Sequence, residues 1–193
     1  MYITCKGLTY ATVSSGGAGS AVVYSNGAMK ENLLCKADLS FDYAEGQDYA
    51  DGVRIAKKKK MTGAKINFEL ADLPSAIKTA LLGWTTATND LIIDDSDPAY
   101  VGVGFYIWNE EPLTEDDQWT AYWIFKATFT TDTISVSTSN DSISYQHQTI
   151  NGDAVGVQLA SAGPMCFAVT NDTPLTTEAA AIAWLKTKAG ITT

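Results

Sequence analysis

The chain has 193 residues, of which 46% are aliphatic or aromatic, and carries a formal net charge of −9 at pH 7. A chain of this length buries roughly 70% of the surface its unfolded form exposes, enough for one core without disulfides or metal, and it has neither the ~18-residue apolar run of a membrane-spanning helix nor the basic-then-apolar opening of a secretory leader. The charge is split: residues 1–78 hold 10 basic and 8 acidic side chains, residues 79–193 hold 3 and 14, and the acidic half is the wrong sign to grip nucleic acid.

Most of the chain reads as β, with short runs rich in Thr, Val, Ile, Tyr and Phe between turn residues. The first strands are expected over Ile3–Ser14 and Ala21–Ser25, joined by Ser14–Ser20 (SSGGAGS). Ser15, Gly16, Gly17 and Gly19 could suggest a phosphate cradle. That motif, however, needs GK[ST] or a strand–turn–helix to follow, and Ala21-Val22-Val23-Tyr24 reads as strand, so a hairpin tip is the expectation.

Strands over Lys36–Tyr43 and Val53–Lys57 flank Tyr49-Ala50-Asp51, and a further strand, Ala64–Leu70, alternates polar and apolar residues as a half-buried strand does. Between them Lys57, Lys58, Lys59 and Lys60 form the one strong basic run. The aromatic and arginine interleaving of a nucleic-acid surface is missing, so the run reads as a solvated loop. The sharper alternative is an electrostatic contact with an acidic loop of a neighbouring subunit, motivated by the charge split. A helix is then expected after Asp72 as N-cap, with Pro74 in its first turn, Leu73, Ile77 and Leu81 as an apolar stripe, and Gly83 as its stop.

Thr85–Asp97 and Asn109–Asp117 read as flexible segments. Asp94, Asp95 and Asp97 lack the spacing of a calcium loop. Glu110, Glu111, Glu115, Asp116 and Asp117 offer no carboxylate pair with a reason to be buried, as glycoside hydrolysis requires. Both groups are read as exposed acidic surface. Strands follow at Tyr100–Trp108, Trp119–Phe129, Thr133–Ser137, Ser144–Ile150 and Met165–Thr170. In Trp119–Phe129 the residues Ala121, Trp123, Phe125, Ala127 and Phe129 fall on one side, and both faces are expected to be partly covered. His147, the single histidine, lies in a strand-like SISYQHQTI with no nucleophile elbow, which does not build a Ser-His-Asp site. A second helix is expected after Thr176 or Thr177, with Glu178 early, Lys186 and Lys188 late, Ile182 and Leu185 on its apolar face, and Gly190 at its end. The cysteines, Cys5, Cys35 and Cys166, are odd in number and form no CxxC pair, which argues against a disulfide framework or a zinc site and fits a reducing compartment.

The order of these features resembles the major tail proteins of long-tailed (siphovirus) bacteriophages. Gly7-Leu8 and Tyr10 open a first strand before a Gly-rich hairpin. Ala37–Phe41, Tyr49-Ala50-Asp51, a loop near Lys57–Thr62, Gly63, the Phe68-Glu69-Leu70 strand and the helix Leu73–Leu82 closed by Gly83 follow in the family's sequence. Val103-Gly104-Phe105, Trp119–Phe129, Thr138–Ser142 and Gln148-Thr149-Ile150 complete the match over about residues 1–155. Residues 156–193 add a strand and a helix as a C-terminal extension of what reads as one domain.

The resemblance implies a mainly β fold, a β-sandwich or partial barrel with a flanking α-helix. It also implies structural rather than catalytic work, without cofactors: hexameric rings stacked into a tail tube through whose lumen DNA passes without specific binding. The implied location is the virion, with assembly in the host cytoplasm, and the implied partners are further copies of the chain, a tape measure, a tail terminator and a tail tip, with no membrane. In that setting Ser15, Gly16, Gly17, Gly19 and Lys57–Lys60 are candidate inter-subunit loops, and the acidic residues are candidate loop or lumen surface. Two other readings stand beside it: the tube protein of a related contractile or secretion machine, and a carbohydrate-binding β-sandwich that uses Trp84, Trp108 or Trp119.

Overall fold

The computed structural model describes residues 3–16, 20–50, 53–93, 98–110, 117–131, 146–158, 164–170 and 175–191. The fold is mainly β, with 65% strand and 13% helix, built on one large antiparallel sheet and consistent with a β-sandwich-like architecture. Its strands run β2(Val23–Lys30), β1(Ile3–Ser15), β7(Val101–Glu110), β8(Asp117–Thr130), β9(Gln148–Val155), β4(Val53–Leu70), β3(Leu34–Ala50) in spatial order, and β12(Phe167–Val169) also pairs with β8. Helix α1(Ser75–Leu82) follows β4, and α2(Glu178–Lys188) ends the described chain. Two small hairpins, β5(Thr85–Thr86) with β6(Leu91–Ile92) and β10(Val157–Gln158) with β11(Pro164–Met165), stand apart. Among the described residues no helix is long and apolar enough to cross a membrane.

Strand β8 organises the molecule. One edge pairs with β7 throughout. The other is shared in succession by Leu175 opposite Trp119, by β12 opposite Tyr122–Ile124, and by β9 opposite Ala127–Thr130. Both its faces are buried. Ala121, Trp123 and Phe125 face α2 in one core, while Ile124, Ala127 and Phe129 lie in the other core with Leu8, Phe68, Ile77, Leu81 and Ile150. The switch has a local cause. Val101 pairs with Ala127 and Val103 with Ile124, so β8 carries one extra residue there. Such a bulge reverses the period-2 alternation beyond it. Ala127 and Phe129 therefore do not share a side with Ala121, Trp123 and Phe125, contrary to the simple alternation. Phe129 instead stacks on Phe68 with centroids 5.9 Å apart.

The run Val101-Gly102-Val103-Gly104-Phe105 explains how Trp123 is seated. The two valines and Phe105 enter the first core. The two glycines leave the opposite face bare: a Cβ on Gly102 would lie 2.6 Å from Trp123 Cζ2, and one on Gly104 would lie 2.6 Å from both Trp123 Cε3 and Leu185 Cδ2. Trp123 rests on that bare patch, beneath Leu185 of α2. Its Nε1 donates to the Tyr24 hydroxyl at 3.1 Å, and that hydroxyl donates to the Phe125 carbonyl at 2.8 Å.

The helices follow their sequence signals with one exception. Ile77 and Leu81 of α1 and the preceding Leu73 are buried as a stripe, and Gly83 caps α1 in the left-handed conformation with its N–H on the Lys78 carbonyl. Asp72, however, is not the N-cap. Its Oδ1 accepts from the adjacent Leu73 N–H, and Pro74 occupies the cap position without a side-chain bond. In α2 the Thr177 hydroxyl accepts from the Ala180 N–H at 3.2 Å, and Ala181 and Leu185 are fully buried. Strand β2 runs on to Lys30, past the expected end at Ser25, because a bulge at Asn26 and Gly27, with Asn26 at φ 52°, absorbs the turn signal. The expected Thr133–Ser137 strand lies outside the described residues, as does the Thr138–Ser142 loop.

Gly104→Ala is expected to destabilise the protein by about 1–3 kcal/mol in urea unfolding, because the added methyl must displace Trp123 or Leu185 from a filled site. A second expectation concerns alkali. Burial pushes the Tyr24 hydroxyl up to about 12 from the ordinary 10. The folded state therefore holds its proton more tightly, and the stability this provides is present below pH 10 and lost as pH rises to about 12. Melting temperature should fall across that window. Tyr24→Phe should flatten the fall while lowering stability at neutral pH by about 1–3 kcal/mol, since Trp123 Nε1 loses its acceptor.

Candidate functional site

The feature that no core of the fold explains is the outer half of the β3/β4 ribbon. Strand β9 supports β4 only as far as Gly63, which pairs with Val155. Beyond it the β3/β4 pairing continues alone from Tyr43 opposite Met61 to Ala50 opposite Val53. At ~3.3 Å per residue the segment Val53–Met61 projects about 30 Å. Residues 53–60 are exposed throughout, and Tyr49, Val53 and Ile55 are 60%, 65% and 61% exposed. No other described strand pairs with either edge of this arm.

Lys57, Lys58, Lys59 and Lys60 are therefore strand residues of the arm and not a solvated loop. A run with charge on both faces lacks the alternation that marks a strand, and backbone pairing with Ala44–Gln47 supplies what side-chain pattern does not. The pairing divides the run. Lys57 and Lys59 lie on the face of Tyr43, Glu45 and Gln47, and both bind Glu45, at 3.0 and 3.1 Å. Their ammonium groups, Lys57 first, hold the Glu45 carboxyl below the usual carboxylate range, and Lys59 also lies over the Tyr43 ring at 4.7 Å. Lys58 and Lys60 fall on the opposite face beside Ala44, Gly46 and Ala56, and neither enters an ion pair among the described residues. On one face two lysines thus share a single carboxylate, and the other carries Lys58 and Lys60, with Asp48 further along, on a floor of small residues.

Of the other predicted positions, Ser15 ends β1 opposite Val23 and Gly16 follows it at φ 92°, while Gly17 and Gly19 lie outside the described residues. So do Asp94, Asp95, Asp97, Glu111, Glu115 and Asp116. Glu110 and Asp117 belong to strands and not to the expected acidic loop: they pair across the β7/β8 end, where Asp117 accepts from Trp108 Nε1 at 2.7 Å. His147 places Nδ1 2.7 Å from Glu69 Oε1, an ion pair when protonated, at the start of β9. Trp119 is 7% exposed and packs, with tilted rings, against Tyr106 and Trp108, so it presents no sugar platform. Trp84 is half-buried, with Lys78 over its ring.

Sequence reasoning missed a cleft of about 770 Å³ between β1, the β2–β3 turn and α2, lined by Cys5, Lys6, Glu31, Cys35, Tyr106 and Glu178 among others. Glu178 accepts there from Lys6 Nζ at 3.1 Å and from the Tyr106 hydroxyl at 2.9 Å, which pins α2 to β1 and β7. Burial, followed by Glu178, raises the Tyr106 pKa above the ordinary phenol range. Only the order of Lys6 and Glu178 at a strand start and a helix start hinted at this contact. No family model matches the chain, and no curated protein matches it in sequence.

Proposed function

We propose that this chain is a non-catalytic structural protein that assembles with copies of itself into stacked hexameric rings, the tail tube of a siphovirus-type bacteriophage and the conduit for its DNA. The observation that carries the reading is the β3/β4 arm. A two-stranded ribbon standing free in water is marginally stable, and unpaired strand edges are templates for another chain. An element of this kind reaches full stability on docking, through strand addition and side-chain contact. Its docking site on the next subunit need not resemble the arm itself. Such a heterologous contact closes a ring when its rotation closes and repeats without limit along an axis when it does not.

The number of subunits and the identity of the particle come from the resemblance in feature order. The arm supports the self-associating part of the reading. Lys58 and Lys60, the two arm lysines outside ion pairs among the described residues, suit an acidic patch on a neighbouring copy, and the second half of the chain is strongly acidic. Cross-subunit pairs of this kind fix register and rate of encounter and are weakened by salt.

Electron microscopy of concentrated protein should show rings or tubes. Replacing Ala44–Lys60 by an Asn-Gly turn that joins Tyr43 to Met61 should leave the melting temperature within about 2 °C of the parent, because the removed segment is exposed and pairs with no described strand outside the ribbon. The same deletion should abolish assembly, and normal tubes from it would exclude the arm. The double reversal Lys58→Glu/Lys60→Glu should raise the concentration needed for assembly about tenfold at physiological salt, equivalent to about 1.4 kcal/mol, with a smaller ratio at high salt. Protein that stays monomeric at every concentration and ionic strength would overturn the reading.

A further inference from the structure

We propose that Cys5 and Cys35 form a reversible intramolecular disulfide that staples the open seam between β1 and β3. These strands are joined by no backbone ladder, because β3 ends the sheet on one side and β1 is next to last on the other. They nevertheless pass alongside each other at the cleft that Cys5 and Cys35 both line. The Cys5 thiol lies against the β3 backbone and donates to the Cys35 carbonyl at 3.5 Å. Cys35 is the extra residue of a β-bulge: Leu34 pairs with Leu70 and Lys36 with Glu69, which leaves Cys35 out of the β3/β4 ladder. A bulge re-aims the side chain of its unpaired residue, and Cys35 is exposed at the cleft that Cys5 also lines. The Cys35 sulfur is 4.0 Å from the Leu33 carbonyl, a weak contact that holds it loosely. Cys166 is buried and is not a competitor.

The chemistry needs an oxidant of the disulfide class, such as glutathione disulfide. The exposed Cys35 thiolate attacks one of its sulfurs and expels one glutathione thiolate, which takes up the proton Cys35 lost. The Cys5 thiol then gives its proton to solvent and attacks the Cys35 sulfur, expelling the second glutathione. Two protein thiols become one S–S bond, and the oxidant is reduced to two thiols. Burial raises the Cys5 pKa, so the exposed partner is the better first nucleophile.

The test is incubation of the folded, reduced protein with glutathione disulfide, followed by thiol titration, mass mapping and thermal melting. Titratable thiols should fall from three to one, with a Cys5–Cys35 linkage in the peptide map and no retained glutathione. The staple encloses residues 30 apart in sequence, so melting temperature should rise by on the order of 10 °C and return on reduction. Cys5→Ser and Cys35→Ser should each abolish both effects while folding normally when reduced. Three thiols that stay titratable, glutathione retained on Cys35, a dimer linked through Cys35, or a linkage that leaves the melting temperature unchanged would overturn the proposal.

Discussion

The extra residue that β8 carries between Ile124 and Ala127 is the constraint on which the rest of the structure depends. A strand of strict alternation could bury one apolar set and would leave the other half of its edge in the wrong phase for β9. By slipping one position, β8 gives Ala121, Trp123 and Phe125 to the α2 side and Ala127 and Phe129 to the α1 side. The same slip coincides with the handover of its free edge from β12 to β9. A single backbone irregularity thus lets one strand serve two cores and three neighbours, and the layered arrangement follows from it.

The arm obeys the opposite logic. The body is held by buried aromatic contacts such as Phe68 with Phe105 and Phe129, whereas the arm beyond Gly63 is held by backbone pairing and by exposed ion pairs to Glu45, which are worth little in water. Tyr49, Val53 and Ile55 at its tip stay largely exposed. Apolar surface and unpaired edges are concentrated on one projecting element, and the proposed self-assembly rests on it.

Much of this was legible in the sequence wherever period and capping chemistry are local. The alternation of Lys65–Leu70, the stripe of Leu73, Ile77 and Leu81, the Gly83 stop and the Thr177 cap all behave in the structure as their chemistry dictates. What was not legible depends on partners distant in the chain. Lys57–Lys60 have no strand-like pattern, and only the opposing Ala44–Gln47 makes them one. The bulges at Cys35 and Ile124–Ala127 leave no mark in composition, since each arises from a mismatch between two strands rather than from either strand alone. The acidic positions resisted reading for a related reason: Asp117 reads as loop by composition and becomes a strand residue through its pairing with Glu110.

The placement of α2 has a consequence for synthesis. Trp123, Tyr106 and the glycine face of β7 are covered by Ala181 and Leu185, and the Trp119 end of β8 is closed by Leu175, all from the last part of the described chain. A nascent polypeptide from which α2 has not yet emerged cannot cover that aromatic surface, however much of the sheet is already out. Folding of this side of the sheet must therefore wait for α2, and until it docks the growing chain displays a sticky indole-rich face to the crowded cell.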